Sequence, residues 1–174
     1  DNYAEQLIIY ILSAGSKSYP VMKDVYYKFN RNIKDGVIYS WFGSLFTYQY
    51  SHAWINFSGL KDDNGIDWYK NSKLATGLNK DYCLSLNQQT FKLGYWGLSS
   101  TITNKRYSQR LGGEPSMCKI KSDGTISISS LASSIIFDDS VEALLEKLKE
   151  DYPLSFGKYG FITSVNLKRN VWYC

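Results

Sequence analysis

The sequence predicts an all-α chain with long irregular loops. Three observations carry that prediction. Apolar residues recur at helical spacing in three separate stretches. Two of those stretches are closed by a glycine or a proline. Between residues 88 and 124 the apolar stripes almost vanish.

Taken in order, residues 3–14 place Ala4, Leu7, Ile8, Ile11 and Leu12 at i, i+3, i+4, a helix that Gly15 stops. A loop follows through Tyr19-Pro20, and residues 22–29 read as a short helix. Residues 30–36 are polar and read as a loop. Residues 44–56 are rich in aromatics: alternation favours a strand, whereas Leu45, Tyr48, Gln49 and His52 favour a helix, so both remain open. Residues 59–65 are turn chemistry. The longest helical pattern is 66–86, with Ile66, Tyr69, Leu74, Leu78 and Tyr82 close to the period. Residues 88–124 read as irregular structure around Tyr95-Trp96-Gly97-Leu98; loops of that length are usually functional when ordered. Residues 126–136 are small and apolar and predict a buried helix. Residues 137–151 predict an amphipathic helix with Val141, Leu144, Leu145 and Leu148 inward, a capping box of Asp139 and Glu142, and an end at Pro153. Residues 156–161 read as a glycine-jointed loop.

A length of 174 residues suits one domain of about 100–200 residues. With 44% hydrophobic and 21% charged residues the chain is globular in composition. It has no apolar run of about 18 residues, so no membrane span is expected. The net charge of +4 is mild, and the densest basic stretch (Lys105, Arg106, Arg110, then Lys119 and Lys121) reads as a solvated face, not a nucleic-acid surface. Cys83, Cys118 and Cys174 are far apart and form no Cys-x-x-Cys pair. With a single His they complete no zinc site of the usual kind. They read as unpaired or buried thiols, with a pairing of two left open. No secretory signal precedes the first helix, and the apolar end at Val171-Trp172-Tyr173-Cys174 makes a poor free tail, so both ends read as cut from something larger. Gly-x-Gly-x-x-Gly, Walker and Gly-x-Ser-x-Gly patterns are absent.

Only five Glu occur. Glu142 is accounted for by capping, and Glu146 and Glu150 by a solvated helix face. Glu5 stands at the start of a strongly apolar helix and has two readings: a carboxylate favoured by the helix dipole, or a catalytic carboxylate facing a cleft. Aromatic residues make up 16% of the chain. Flat rings stack on sugar faces and leave hydroxyl or indole groups free to bond, although core packing competes for each ring. The two clusters are Tyr48-Gln49-Tyr50-Ser51-His52-Ala53-Trp54 and Tyr95-Trp96-Gly97-Leu98-Ser99-Ser100.

Six segments, in order, resemble the glycoamylase-like domain of bacterial carbohydrate-active enzymes, close to glycoside hydrolase family 144, the endo-β-1,2-glucanases. They are Asn2-Tyr3-Ala4-Glu5 with the apolar helix after it, Leu45 to Phe57, Asp67-Trp68-Tyr69-Lys70-Asn71-Ser72, Trp96-Gly97-Leu98-Ser99-Ser100, Asp123-Gly124-Thr125-Ile126, and Gly157-Lys158-Tyr159-Gly160-Phe161. Ala4 stands where the family has Asn, and Ser127-Ile128 where it commonly has Pro. The resemblance implies an (α/α)6 toroid of about twelve helices, of which this chain would be the C-terminal half of a single catalytic domain truncated on its N-terminal side. It implies a secreted, periplasmic or cell-surface glycoside hydrolase acting on a β-glucan, by resemblance β-1,2-linked, with the missing N-terminal half as its partner. Glu5 matches the family's Tyr-Asn-Glu carboxylate and is the catalytic candidate, and the chemistry the resemblance implies needs no metal or organic cofactor. Tyr48, Trp54, Trp96 and Tyr107 would shape sugar subsites, and Gln49, His52, Ser99, Arg106 and Asp123 would bond hydroxyls. The alternative is a non-catalytic or degenerate carbohydrate-binding domain, which Ala4 and the absent upstream acids permit. A single-strand nucleic-acid binder would need rings on one sheet beside a basic groove, against the helical pattern. Half a toroid would also expose apolar helix faces and self-associate.

Overall fold

A computed structural model describes residues 2–103 and 106–173; Asp1, Lys105 and Cys174, which entered the readings of the terminus, the basic stretch and the thiols, lie outside the described residues. The first helix, α1 (Leu7–Ala14), forms on the predicted stripe but starts after the N-cap Gln6, and it closes at Gly15, whose N–H donates to the Ile11 carbonyl while the Ser16 N–H donates to that of Ser13. Tyr3 is therefore outside the helix and turns into the core, its ring stacked on Trp68 at 5.0 Å. Leu7 alone of α1 is buried, and Ile9, Ile11 and Leu12 are exposed. A 3-10 turn, Lys23–Lys28, stands where a short helix was expected.

Residues 30–36 are not simply a loop. β1 (Ile33–Lys34) pairs antiparallel with β2 (Val37–Ile38). Asp35 and Gly36 between them sit at φ 52° and 79°. A two-residue hairpin turn needs positive φ at both central positions, which Asp-Gly supplies. The open choice over residues 44–56 resolves as helix: α2 (Leu45–Gln49) runs into a 3-10 turn at Tyr50–Ala53. α3 (Trp68–Ser85) is the longest element, and the Asp67 side chain caps it by accepting from the Lys70 N–H at 2.8 Å. After α4 (Gln89–Lys92), β3 (Thr101–Thr103) and β4 (Arg106–Ser108) pair antiparallel within the stretch read as irregular.

The stretch read as one buried helix over 126–136 divides into β5 (Ile126–Ser127), α5 (Ile128–Ser133) and a 3-10 turn at Ser134–Ile136. α6 (Val141–Asp151) buries Val141 and Leu148 and half-buries Leu144 and Leu145, as its spacing predicts. The Asp139/Glu142 capping box does not form. Ser140 is the N-cap with no side-chain cap bond, and Asp138 is the carboxylate engaged there, accepting from the Ser140 N–H and Oγ at 2.9 and 2.6 Å. Beyond α6, β6 (Phe156–Gly157) and β7 (Gly160–Phe161) form a hairpin in place of the expected loop. β8 (Ser164–Asn166) is the centre of a three-stranded sheet, β5-β8-β9, closed by β9 (Val171–Tyr173).

The all-α expectation is thus corrected. The described residues hold six α-helices together with nine strands of two or three residues each. Strands that short offer no alternation long enough to register in a sequence pattern. Two apolar clusters underlie the fold. One gathers Trp96, Leu98, Ile126, Leu131, Val141 and Leu148; the other gathers Tyr3, Leu7, Phe29, Tyr48 and Trp68. α3 contributes Cys83 to the first and Trp68 and Ala75 to the second, so it ties the two together. Among the described residues, no helix is long and apolar enough to cross a membrane.

Candidate functional site

A cleft of about 470 Å³ opens between the segment preceding α1, residues 40–47, and the β3–β4 hairpin. Tyr3, Ala4 and Glu5 line one side; Ser40, Trp41, Phe42, Ser44, Phe46 and Thr47 line the next; Ser100, Tyr107 and Gln109 complete it. Glu5 is exposed and precedes the N-cap of α1, so it is not a first-turn carboxylate serving the helix dipole. Its Oε1 accepts from Thr47 Oγ1 at 3.4 Å. Among the described residues it is the only carboxylate that lines the cleft. Three rings stand at the rim with much of their surface open: Trp41 is 51% exposed, Phe46 47% and Tyr107 61%.

Backbone crossings build the floor. The Gly43 carbonyl accepts from the Gly113 N–H at 3.0 Å. Gly43 lies at φ 57°, and a Cβ placed on it would stand 1.9 Å from the Gly113 carbonyl oxygen. Only glycine permits both that conformation and that approach. The Trp96–Ser100 segment is pinned from two directions. Asn79 of α3 donates through Nδ2 to the Leu98 carbonyl at 3.1 Å and accepts from the Leu98 N–H at 3.0 Å. Ser99 Oγ meets Ser44 Oγ at 2.7 Å and accepts from the Phe46 N–H at 3.2 Å, which fixes the start of α2 against the hairpin.

Of the residues singled out in the sequence, the fold brings Glu5 and Tyr107 into this cleft and sets Ser99 directly behind its wall. Arg106 is exposed on the same hairpin. Tyr48 and Gln49 face the interior. The Tyr48 hydroxyl accepts from the Ser40 N–H at 3.0 Å, and burial pushes its phenol up. Gln49 Nε2 donates to the Ser130 carbonyl at 2.7 Å and to Ser134 Oγ at 2.8 Å, joining α2 to α5. Trp96 is 1% exposed, with Lys80 Nζ 5.5 Å from its ring. The fold uses these three as core groups. Tyr3, behind Glu5, is raised well above an ordinary phenol, first by burial and then by the charges of Tyr48 and Glu5.

His52 and Trp54 line a different hollow with Asn56, Ser58, Tyr69 and Ile136. The His52 ring packs edge-on against Phe57 and Phe137, and its Nε2 meets Ser72 Oγ at 2.9 Å. Burial lowers its pKa to about 4, against the raising effect of a hydrogen bond to the Trp68 backbone. Asp123 lies in a third hollow, where its Oδ1 accepts from the Thr125 N–H at 2.9 Å and its Oδ2 lies 3.7 Å from Arg169. The sequence reading missed Trp41, Phe46, Thr47 and Gln109. The only available signal for them was the density of rings between residues 41 and 54. Among the described residues, no group of three or more His, Cys, Asp or Glu side chains is placed to hold a metal ion, and Cys83 and Cys118 are free thiols.

The Glycoamylase family model, described as putative glucoamylase, matches residues 1–174. A putative glucoamylase from Bacteroides uniformis superposes with a TM-score of 0.80 at 27% identity, covering 99% of this chain and 44% of that one. An endo-β-1,2-glucanase from Chitinophaga pinensis, solved with sophorotriose and glucose, superposes with a TM-score of 0.77 at 26% identity, with the same 99% and 44% coverage. A β-1,2-glucanase from Parabacteroides distasonis shares the fold with a TM-score of 0.75 at 19% identity, over 99% of this chain and 29% of that one. The chain therefore spans less than half the length of these solved relatives. No curated protein matches it.

Proposed function

This chain belongs to the Glycoamylase family, and on that premise we propose that it is part of a glycoside hydrolase that cleaves a β-glucan, with β-1,2-linked glucan as the first substrate to try. The observation that carries the reading is the setting of Glu5. A lone carboxylate lies in a cleft whose rim is aromatic and whose wall is hydroxyl-bearing. A pyranose presents an apolar face to rings and an edge of hydroxyls to groups that donate and accept, so both surfaces of the cleft have a counterpart on a sugar.

Hydrolysis of a glycosidic bond needs two carboxyl groups, one to protonate the leaving oxygen and one to activate water or attack the anomeric carbon. Glu5 supplies one of them. The second comes from the portion of the domain that the longer relatives carry and this chain lacks. The parent domain is read as the (α/α)6 toroid, with this chain as its C-terminal half. Glu5→Gln in the full-length protein, assayed by product formation on a panel of β-glucans, is expected to lose about 10²–10⁴-fold in rate. Unchanged cleavage would remove Glu5 from the chemistry.

A second reading, a carbohydrate-binding domain without catalysis, is favoured by one observation: Glu5 has no carboxylate companion among the described residues of the cleft. Binding of a β-glucan with no product from any glucan on the panel would decide for it.

A further inference from the structure

Four serine and threonine side chains line the cleft wall: Ser40, Ser44, Thr47 and Ser100. Three are engaged within the protein. Ser44 Oγ meets Ser99 Oγ and accepts from the Ser100 N–H; Thr47 Oγ1 donates to Glu5; Ser100 Oγ donates to the Gln109 carbonyl. Ser40 differs. It is 3% exposed, its N–H donates to the Tyr48 hydroxyl, and its carbonyl accepts from the Gly43 N–H. Its Oγ is buried and has no hydrogen-bond partner among the described residues. Arg31 Nε, Gln88 Oε1, Tyr95 OH and Thr101 Oγ1 share that condition, and none of those residues lines the cleft.

A buried hydroxyl without a partner forfeits the hydrogen bond it had in water, and native folds seldom leave one so unless something else meets it. Both backbone groups of Ser40 are already committed, so the hydroxyl is what this residue still has to offer the cleft. We propose that Ser40 Oγ is the deep hydrogen-bond contact for one hydroxyl of a bound sugar. It is the group by which the cleft distinguishes a sugar bearing that hydroxyl from one lacking it. Trp41 and Tyr107 at the rim present faces that accept any pyranose, whereas a single buried hydroxyl reads one position. A hydroxyl both donates and accepts, which suits a neutral sugar O–H better than an anion. The inference rests on the cleft being the glucan site, and its test separates the two.

The experiment uses the full-length protein carrying Glu5→Gln, so that ligand is not consumed, and titrates β-1,2-linked glucotriose calorimetrically. Adding Ser40→Ala is expected to weaken binding by about 2–10-fold, with thermal stability unchanged or raised because an unpartnered polar atom is gone. Ser40→Cys, which keeps the size and offers only a weak donor, should weaken binding similarly. Monodeoxy trisaccharides supply the specific readout: one of them should bind the Ser40 protein more weakly than the parent sugar yet bind Ser40→Ala equally well. Unchanged affinity in Ser40→Ala overturns the proposal, as does a loss of affinity that tracks a fall in melting temperature. If the Glu5→Gln protein with Ser40 intact binds no glucan at all, the cleft reading itself fails and the Ser40 role falls with it.

Discussion

Thr47 Oγ1 donates to Glu5 Oε1 across 3.4 Å, so the helix that walls the cleft holds the carboxylate of the segment that precedes α1. The second carboxylate oxygen is left for the cleft. Thr47→Val should therefore lower kcat by about 2–10-fold while leaving KM nearly unchanged, and Thr47→Ser should restore it. Steady-state kinetics on the full-length protein checks this. A loss in Thr47→Ser with none in Thr47→Val would mean that the methyl group, and not the hydroxyl, matters.

The crossing of Gly43 over Gly113 should be intolerant of a single methyl. Gly43→Ala combines positive φ with a Cβ 1.9 Å from a carbonyl oxygen. A loss of about 3 kcal/mol or more is expected in denaturant unfolding. Gly59→Ala, at φ 74° but with nothing near its Cβ, serves as the control and should cost about 1 kcal/mol.

Asn79→Ala removes both of its hydrogen bonds to Leu98 and leaves the buried Leu98 N–H unpaired, while the Leu98 carbonyl keeps the Leu45 N–H at 3.2 Å. The expected loss is about 1–3 kcal/mol. Asn79→Asp should be little better, since a carboxylate accepts from the N–H but cannot donate to the carbonyl.

His52 makes stability depend on pH. Its pKa is lowered by burial from an ordinary 6.5 to about 4 in the folded state. The unfolded chain takes up a proton below about pH 6.5 that the folded chain refuses until about pH 4, so stability falls as pH drops through that window and is level above it. The ring is partly exposed, so the contribution is discounted to about 1–2 kcal/mol. Melting temperature followed from pH 7.5 to 4.5, in the wild type and in His52→Phe, should show a steeper fall in the wild type. An NMR titration midpoint for His52 near 6.5 would refute it.

The rim rings should act on binding rather than turnover. Trp41→Ala and Tyr107→Ala each remove one exposed ring and are expected to raise KM by about 2–10-fold with kcat little changed. Phe156→Ala, an exposed ring away from the cleft, should leave both constants alone.

How far the sequence reached depends on element length. α3 and α6 repeat their period often enough for the pattern to emerge, and Asp67 marks the start of α3 chemically as well as rhythmically. The two-residue strands repeat nothing. Asp35-Gly36, a hairpin-turn pair inside a stretch that reads as a polar loop, is the legible sign of one of them. The site shows the same divide. Glu5 was reached through its neighbours in a family pattern, not through any property of the carboxylate. Phe46 and Thr47 face the cleft while Tyr48 and Gln49, next in line, face the core. In a helix of five residues no periodicity distinguishes those sides, and tertiary contacts made dozens of residues away decide them.

The Leu98 N–H is held by one side chain, Asn79 of α3, which also donates to the Leu98 carbonyl beside the Leu45 N–H. The Trp96–Ser100 segment, which reaches the cleft at Ser100, is therefore tied to α3. Amide exchange at Leu98 should proceed only with the opening of the longest helix, at a free energy near that of the whole domain. A ligand entering this cleft should then meet a wall backed by the longest helix, with the freedom to adjust left mainly to the rings at the rim.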